Sequence, residues 1–405
     1  MEKITGKKQV LGASLLFMTL YLISYVTRIN YGAVISEMSA AENIQKSLAS
    51  LALTLSAVTY GAGQLLSGFL GDRLNPKKLI FGGLIVTAVT NLLIPLCTSP
   101  VQMAAVWAVN GLAQAFMWPP LVKIMTSLFT AEDYKKSCVI VTWGSSFGTI
   151  LVYALSPVCI SFFGWRGVFV TSALCAIVMS VVWMKKCRFE GNANKTAAKE
   201  ETYVKGRKLS TKYFAIMGLI MLAIVLQGIL RDGVTTWMPS YISETFNLDR
   251  RSAILTGIIL PIFSIAAIQV TSVIYRKLVK NEMRLSGLMF VSGFISALFL
   301  FASSGKSVFL SVLFSALLTG CMYGVNIVVT CMVPPHFAKF GNISFMSGLL
   351  NFCTYIGSAA SGTGLALFTE NFGWSATIIL WAAIALLGGL VCIAAAKPWN
   401  RFKEN

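Results

Sequence analysis

Residues 162–169 read FFGWRGVF, and residues 371–378 read NFGWSATI. Each sits between two long apolar runs, and the two lie 209 positions apart in a chain of 405 residues. Gly148 maps at the same offset onto Gly357. WPP at 118–120 finds a partner in VPP at 333–335. Arg28 in the first apolar run is matched by Arg231 in the seventh, at an offset of 203. The chain reads as two copies of one apolar unit.

Composition says what kind of unit. The chain is 56% hydrophobic and 12% charged, whereas a soluble protein carries about 25% charged residues. That is more apolar surface than a water-soluble core can hide. The apolar runs are each about as long as the ~20 residues that cross a bilayer as a helix. A membrane β-barrel would show short alternating segments instead. The reading is an all-α membrane protein. The net charge of +18 would hint at nucleic acid on a soluble chain, but here it falls in short loops beside the spans, so no nucleic-acid partner is expected. Nine cysteines show no metal-ligand spacing and mostly fall inside apolar runs, where they behave as small hydrophobes. No metal and no cofactor is expected. The first apolar run is too long for a secretory leader.

Periodicity and punctuation place spans at about 10–38, 48–71, 79–97, 101–129, 137–161, 166–184, 212–242, 252–275, 285–303, 307–333, 341–368 and 374–396. The one sizeable polar stretch is residues 185–211, KKCRFEGNANKTAAKEETYVKGRKLST. It divides the chain into a six-helix bundle over 1–184, a cytoplasmic linker and a second bundle over 212–405. Of the 33 Lys and Arg, only Lys46, Arg166, Arg250, Arg251 and Lys306 fall outside when both termini are inside; Arg28, Lys123 and Arg231 lie within spans. The other 25 are cytoplasmic, the side that collects basic residues. Two parallel six-helix repeats with a midplane binding site describe the major facilitator architecture.

A charge at the bilayer centre costs about 2.5–3.5 kcal/mol, so Arg28 and Arg231 demand a reason. The only acid clearly inside a span is Asp232. Helix neighbours diverge by about 100° and do not face each other well, so pairing alone is a weak reason. An anion held by both guanidiniums is a better one, because the planar fork binds carboxylate or phosphate bidentately and never deprotonates. Tyr21, Tyr25 and Arg28 are spaced i, i+4, i+7 and share one helix face. Tyr323 and Tyr355 are candidates for the matching wall. Asn326, Gln227, Asn351, Ser145 and Ser146 are candidates for the variable part of a substrate, or for helix packing. Lys123 reads as snorkelling to the interface, and His336, after Pro334-Pro335, as a loop residue. Glycine-rich faces such as GAGQLLSG and GSAASG permit close helix packing.

Several motifs carry a family resemblance that runs the whole chain. Gly68, Asp72 and Arg73 in GFLGDRLNPKK resemble the major facilitator loop signature, Gly-x-x-x-Asp-Arg followed by basic residues. The Asn-Pro at 75–76, GLAQAFMWPPLVK, ILRDGVTTWMPSYI and the second FGW are similar to the organophosphate:phosphate antiporters, which include the glycerol-3-phosphate and hexose-6-phosphate exchangers. That resemblance implies that Arg28 and Arg231 bind substrate phosphate, with Tyr21, Tyr25, Tyr323 and Tyr355 around them. It also implies that Asp72 and Arg73 gate the cytoplasmic side, Asp72 lying near a helix N-terminus of the other half. Inorganic phosphate is then a candidate counter-substrate, the cell membrane the location and a monomer the expected state.

The departures bear on substrate. Ile29, Gln64 and Phe147 stand where the glycerol-3-phosphate exchanger has lysine, lysine and histidine. With three cationic or titratable groups absent and Asp232 close by, the site is less positive, which suits a monoanion or an organophosphate with a different tail. The proton-coupled anion:cation symporters, which carry sugar acids, also have an arginine in this setting. They use an Asp and a Glu where this chain has Thr27 and Gln114, leaving Asp232 as the one coupling candidate. A transporter-like sensor of hexose phosphate remains a further alternative. No HExxH, nucleophile motif or second histidine supports an enzyme.

Overall fold

The computed structural model describes residues 3–44, 46–189, 212–247 and 259–404. Most of the expected linker (190–211), the start of the eighth span (252–258), Arg250 and Arg251 lie outside the described residues. The described chain is helical: α1 (Lys7–Ala41), α2 (Lys46–Arg73), α3 (Pro76–Leu93), α4 (Pro100–Gln114), α5 (Trp118–Leu128), α6 (Ala131–Lys186), α7 (Lys212–Phe246), α8 (Ile259–Lys277), α9 (Glu282–Ser303), α10 (Val308–Ile327) and α11 (Ile343–Glu404). A helix satisfies its backbone internally, which is what hydrocarbon requires. It packs as two compact units, Met1–Gly206 with Phe337–Leu349, and Arg207–His336 with Leu350–Asn405.

Eight helical stretches among the described residues are long and apolar enough to cross a membrane, against twelve expected spans. The difference has local causes. The fourth span is broken at Ala115–Met117 into α4 and α5, because Pro119 and Pro120 lack N–H donors and fit only the first turn of a new helix. The eighth is described only from Ile259. Two further pairs run on as single helices. At 1.5 Å per residue, the 56 residues of α6 and the 62 of α11 would each reach more than ~80 Å, over twice a ~30 Å hydrocarbon core. Each turns instead at the glycine of its Phe-Gly-Trp motif: Gly164 at φ 66°, ψ −177°, and Gly373 at φ 76°, ψ 174°.

The repeat is geometric as well as textual. In the first unit, α6 lies so close to α1 that a Cβ at Gly148 would come within 2.7 Å of the Leu22 carbonyl oxygen and 2.9 Å of the Tyr25 Cβ. In the second, Gly357 of α11 faces the Val225 carbonyl of α7, with the Ile229 nitrogen 2.9 Å from its would-be Cβ. Leu22 and Val225 are separated by the same 203 positions as Arg28 and Arg231. After each turn the motif's tryptophan donates to an acid from the end of the partner helix. Trp165 Nε1 reaches Glu42 Oε1 at 3.3 Å, and Trp374 Nε1 reaches Glu244 Oε2 at 2.7 Å. Glu42 also pairs with Arg166 at 2.8 Å. These acids gave no signal in the sequence, because each meets its tryptophan more than 120 residues away.

VPP marks a break too. Beyond α10 the chain passes through a π-helical turn, Val328–Met332, and a 3₁₀ segment, Pro334–Phe340. His336 is therefore in a helical segment rather than a loop. Its Nε2 lies 2.8 Å from Glu282 Oε1. Glu282 is fully buried and also accepts from Tyr275 (2.5 Å), Trp399 (2.7 Å) and Lys403 (2.8 Å).

Candidate functional site

In the first unit the stripe on α1 is assembled as its spacing predicts. The Tyr21 and Tyr25 rings meet edge to face at 5.2 Å, and Trp118 packs on Tyr21 at 5.0 Å. The Arg28 guanidinium lies over the Tyr25 ring, 4.2 Å from its centre, and over Tyr60 of α2 at 4.6 Å. Ring faces are negative, so this is an attractive cation–π arrangement. Tyr60 was missed in the sequence because nothing local ties α2 to Arg28. Gly148 explains the geometry from behind: only a glycine lets α6 close on the turn of α1 that carries Tyr25.

Next to Arg28 is a neutral polar network. Gln114 of α4 donates to the Thr27 hydroxyl (2.8 Å) and accepts from Ser24 (2.6 Å). Asn110 and Asn91 donate to the Thr27 carbonyl, and Asn30 donates to Asn91. All six side chains are buried. Thr27 and Gln114 thus satisfy each other, and neither is an ionisable group.

The second unit treats its arginine differently. Arg231 Nε lies 2.6 Å from Asp232 Oδ1, and Nη2 lies 2.8 Å from Oδ2, a bidentate ion pair. Adjacent helix positions were expected not to face each other. The guanidinium reaches back because its stem is long enough to offset the ~100° divergence, and a fork-to-fork contact rewards it. Ser358 of α11 donates to Asp232 Oδ2, and Tyr355 sits one turn before it on that helix. The Arg231 Cζ is 5.7 Å from the centre of the Tyr323 ring. One turn away on α7, buried Gln227 donates to the Met322 carbonyl at 3.1 Å and accepts from Asn326 at 3.5 Å. Tyr323, Tyr355 and Asn326 therefore gather near Arg231. Ser145 instead bonds the Thr142 carbonyl of its own helix.

Gln64 lies on α2 one turn from Tyr60. It is fully buried, and neither amide atom has a hydrogen-bond partner among the described residues. Its carbonyl is where Gly348 approaches. Further along α2, a Cβ at Gly68 would come within 2.8 Å of the Ser344 carbonyl oxygen and 3.0 Å of the Phe345 Cα. That closeness puts Asp72, one turn on, at the start of α11. Asp72 accepts from the Ser344 N–H (3.0 Å) and the Phe345 N–H (2.7 Å), where helix amides are otherwise unpaired and carry positive charge. Lys123 does not simply snorkel. It donates to the Asp72 carbonyl at 2.8 Å and lies 3.7 Å from its carboxylate. Arg73 lies exposed across Phe69, with its Cζ 3.7 Å from the ring centre.

Apolar helices in two repeated units, each with one arginine among tyrosines in its interior, define a multi-pass membrane carrier rather than an enzyme. The chain belongs to the Major Facilitator Superfamily, whose family model matches residues 17–362. It is 20% identical to a probable hexose phosphate transport protein of Chlamydia muridarum, over 95% of this chain and 90% of that one. It is 22% identical to the glycerol-3-phosphate transporter of Bacillus subtilis, over 94% and 90%. It is 26% identical to the membrane sensor protein UhpC of Salmonella typhimurium, a match that spans 56% of either chain. Among solved structures, the proton:xylose symporter XylE superposes with a TM-score of 0.73 over 95% of both chains at 12% identity. FucP in its outward conformation does so with the same score, over 98% of this chain and all of that one, at 11% identity. At such identity these two speak for the fold.

Proposed function

We propose that the protein is a secondary transporter that carries a small organic anion across the cell membrane by exchange, with both termini cytoplasmic. The observation that carries this reading is the pair of pseudo-equivalent arginines, one in each unit, each set among tyrosines inside apolar helices. Arg28 and Arg231 both contribute to holding the anionic group, and Tyr21, Tyr25, Tyr323 and Tyr355 line its surroundings. The relatives named for hexose phosphate and glycerol-3-phosphate support an organophosphate as substrate and inorganic phosphate as counter-substrate. Thr27 and Gln114 sit in a neutral hydrogen-bonded network, which supports exchange over proton symport through those positions. Asp232 is the coupling candidate. It holds Arg231 until an anion competes for the same guanidinium.

The test is uptake of labelled phosphate into proteoliposomes preloaded with phosphate, competed by sugar phosphates and carboxylates. Rapid exchange, lost in Arg28→Ala and in Arg231→Ala with both proteins still folded, is the expected result. Normal transport by either variant would remove the assignment. The similarity to a membrane sensor favours one other reading, a receptor that binds the same class of anion without moving it. Phosphate binding with no exchange in correctly inserted protein would select that reading.

A further inference from the structure

A second feature of the first unit is unconnected with the arginines. Where the first turns of α1 meet the end of α6, a groove of about 420 Å³ opens on the outside of the unit. Its floor and walls are apolar, from Leu15, Leu16, Phe17 and Leu128. Its mouth is basic, from Lys186 and Arg188, both exposed. Gly12 lies in its wall, and a Cβ there would meet none of the described atoms within 4 Å. The groove is built rather than incidental. Ile4 pins the chain before α1 to the end of α5 through a 2.8 Å bond from its N–H to the Leu128 carbonyl. Below it, Phe17 packs against Phe129 and Trp183, each at 5.9 Å.

The chemistry of the two ends differs in the way an interfacial lipid differs. From Gly12 to Thr19 the lining advances about 10 Å along α1, into the ~15 Å half-thickness of a hydrocarbon core. The basic end sits where α1 begins with Lys7-Lys8 and α6 finishes with Lys185-Lys186, at headgroup depth. Among the described residues, no acidic side chain lines the groove. The nearby acids at the start of α6 are engaged: Glu132 pairs with Lys136 at 3.3 Å, and Asp133 accepts from Thr130 at 2.8 Å.

We infer that this groove is a binding site for one anionic glycerophospholipid, its phosphate on Lys186 and Arg188 and an acyl chain against Leu15 and Leu16. A basic residue at the membrane surface favours an anionic lipid several-fold, so two set a preference of roughly tenfold or more. The measurement is native mass spectrometry of the detergent-purified full chain, titrated with phosphatidylglycerol or phosphatidylcholine of the same acyl composition. The intact protein is expected to take its first phosphatidylglycerol about tenfold more tightly. Lys186→Gln with Arg188→Gln, both at exposed positions, should bring the two lipids level. Gly12→Leu puts a side chain into the groove, at a position where a Cβ meets no described atom within 4 Å, and should weaken both lipids. A tenfold preference that survives the double substitution, or binding untouched by Gly12→Leu, would overturn the site. Displacement of phosphatidylglycerol by millimolar inorganic phosphate alone would overturn it too, by making the occupant a free anion.

Discussion

Gly164 and Gly373, 209 positions apart, take up the same backbone conformation, positive in φ and extended in ψ. That region is essentially reserved for glycine. A Cβ at either position would meet none of the described atoms within 4 Å, so the penalty expected for a side chain is conformational. Gly164→Ala and Gly373→Ala should each cost about 1–3 kcal/mol. Thermal unfolding followed by loss of monodisperse protein reads this directly. Melting unchanged in both variants would mean the turns relax without strain.

Asp232 and the transported anion compete for one guanidinium under the proposed function. Asp232→Asn should therefore tighten phosphate binding to the detergent-purified protein by roughly tenfold to a hundredfold, since a hydrogen bond to a charged group contributes roughly 1.5–3 kcal/mol. Calorimetric titration decides the matter. Weaker binding would mean that Asp232 positions Arg231 for the anion and does not compete with it.

Asp72 satisfies two amides at the start of α11 and carries the charge that suits a helix N-terminus. Asp72→Asn keeps only one of the two acceptor oxygens and removes the charge, so it should lower stability by about 1–2 kcal/mol. Gly68→Ala should be worse than its size suggests, because its Cβ would press on the Ser344 and Phe345 backbone and lift α11 off the carboxylate. The two are not additive if they act on one contact. A double variant whose melting loss equals the sum of the single losses would show that they act separately.

Glu282 is buried under four donors. Removing it takes away the acceptor that Lys403, Tyr275, Trp399 and His336 share. Glu282→Ala should cost about 3–5 kcal/mol, as breaking one side of a buried pair does. Glu282→Gln, which keeps one acceptor, should cost less. Expression and melting of the two variants give the ranking, and equal losses would show that shape rather than charge holds the cluster.

Much of the molecule was open to reading from the chain alone. Apolar runs of membrane-crossing length, charge concentrated in loops and a repeat anchored on Phe-Gly-Trp point to helices, a membrane and a repeated unit. They do so because hydrocarbon accepts only internally bonded backbone, and that constraint acts on each segment locally. The i, i+4, i+7 stripe of Tyr21, Tyr25 and Arg28 was legible for the same reason, since a helix decides which residues share a face.

What stayed hidden depends on contacts between distant segments. Tyr60 on Arg28, Glu42 and Glu244 on their tryptophans, Lys123 on Asp72 and the donors around Glu282 each join residues with no local pattern between them. The break at WPP and the turns at the two Phe-Gly-Trp glycines changed how the expected spans divide into helices, because proline and glycine act on backbone geometry, while hydropathy registers only apolarity. The Arg231–Asp232 pair shows the limit from the other side. Helix geometry alone separates the two side chains. Only the packed structure, with Ser358 reaching Asp232 from α11, decides that the long guanidinium folds back onto its neighbour's carboxylate.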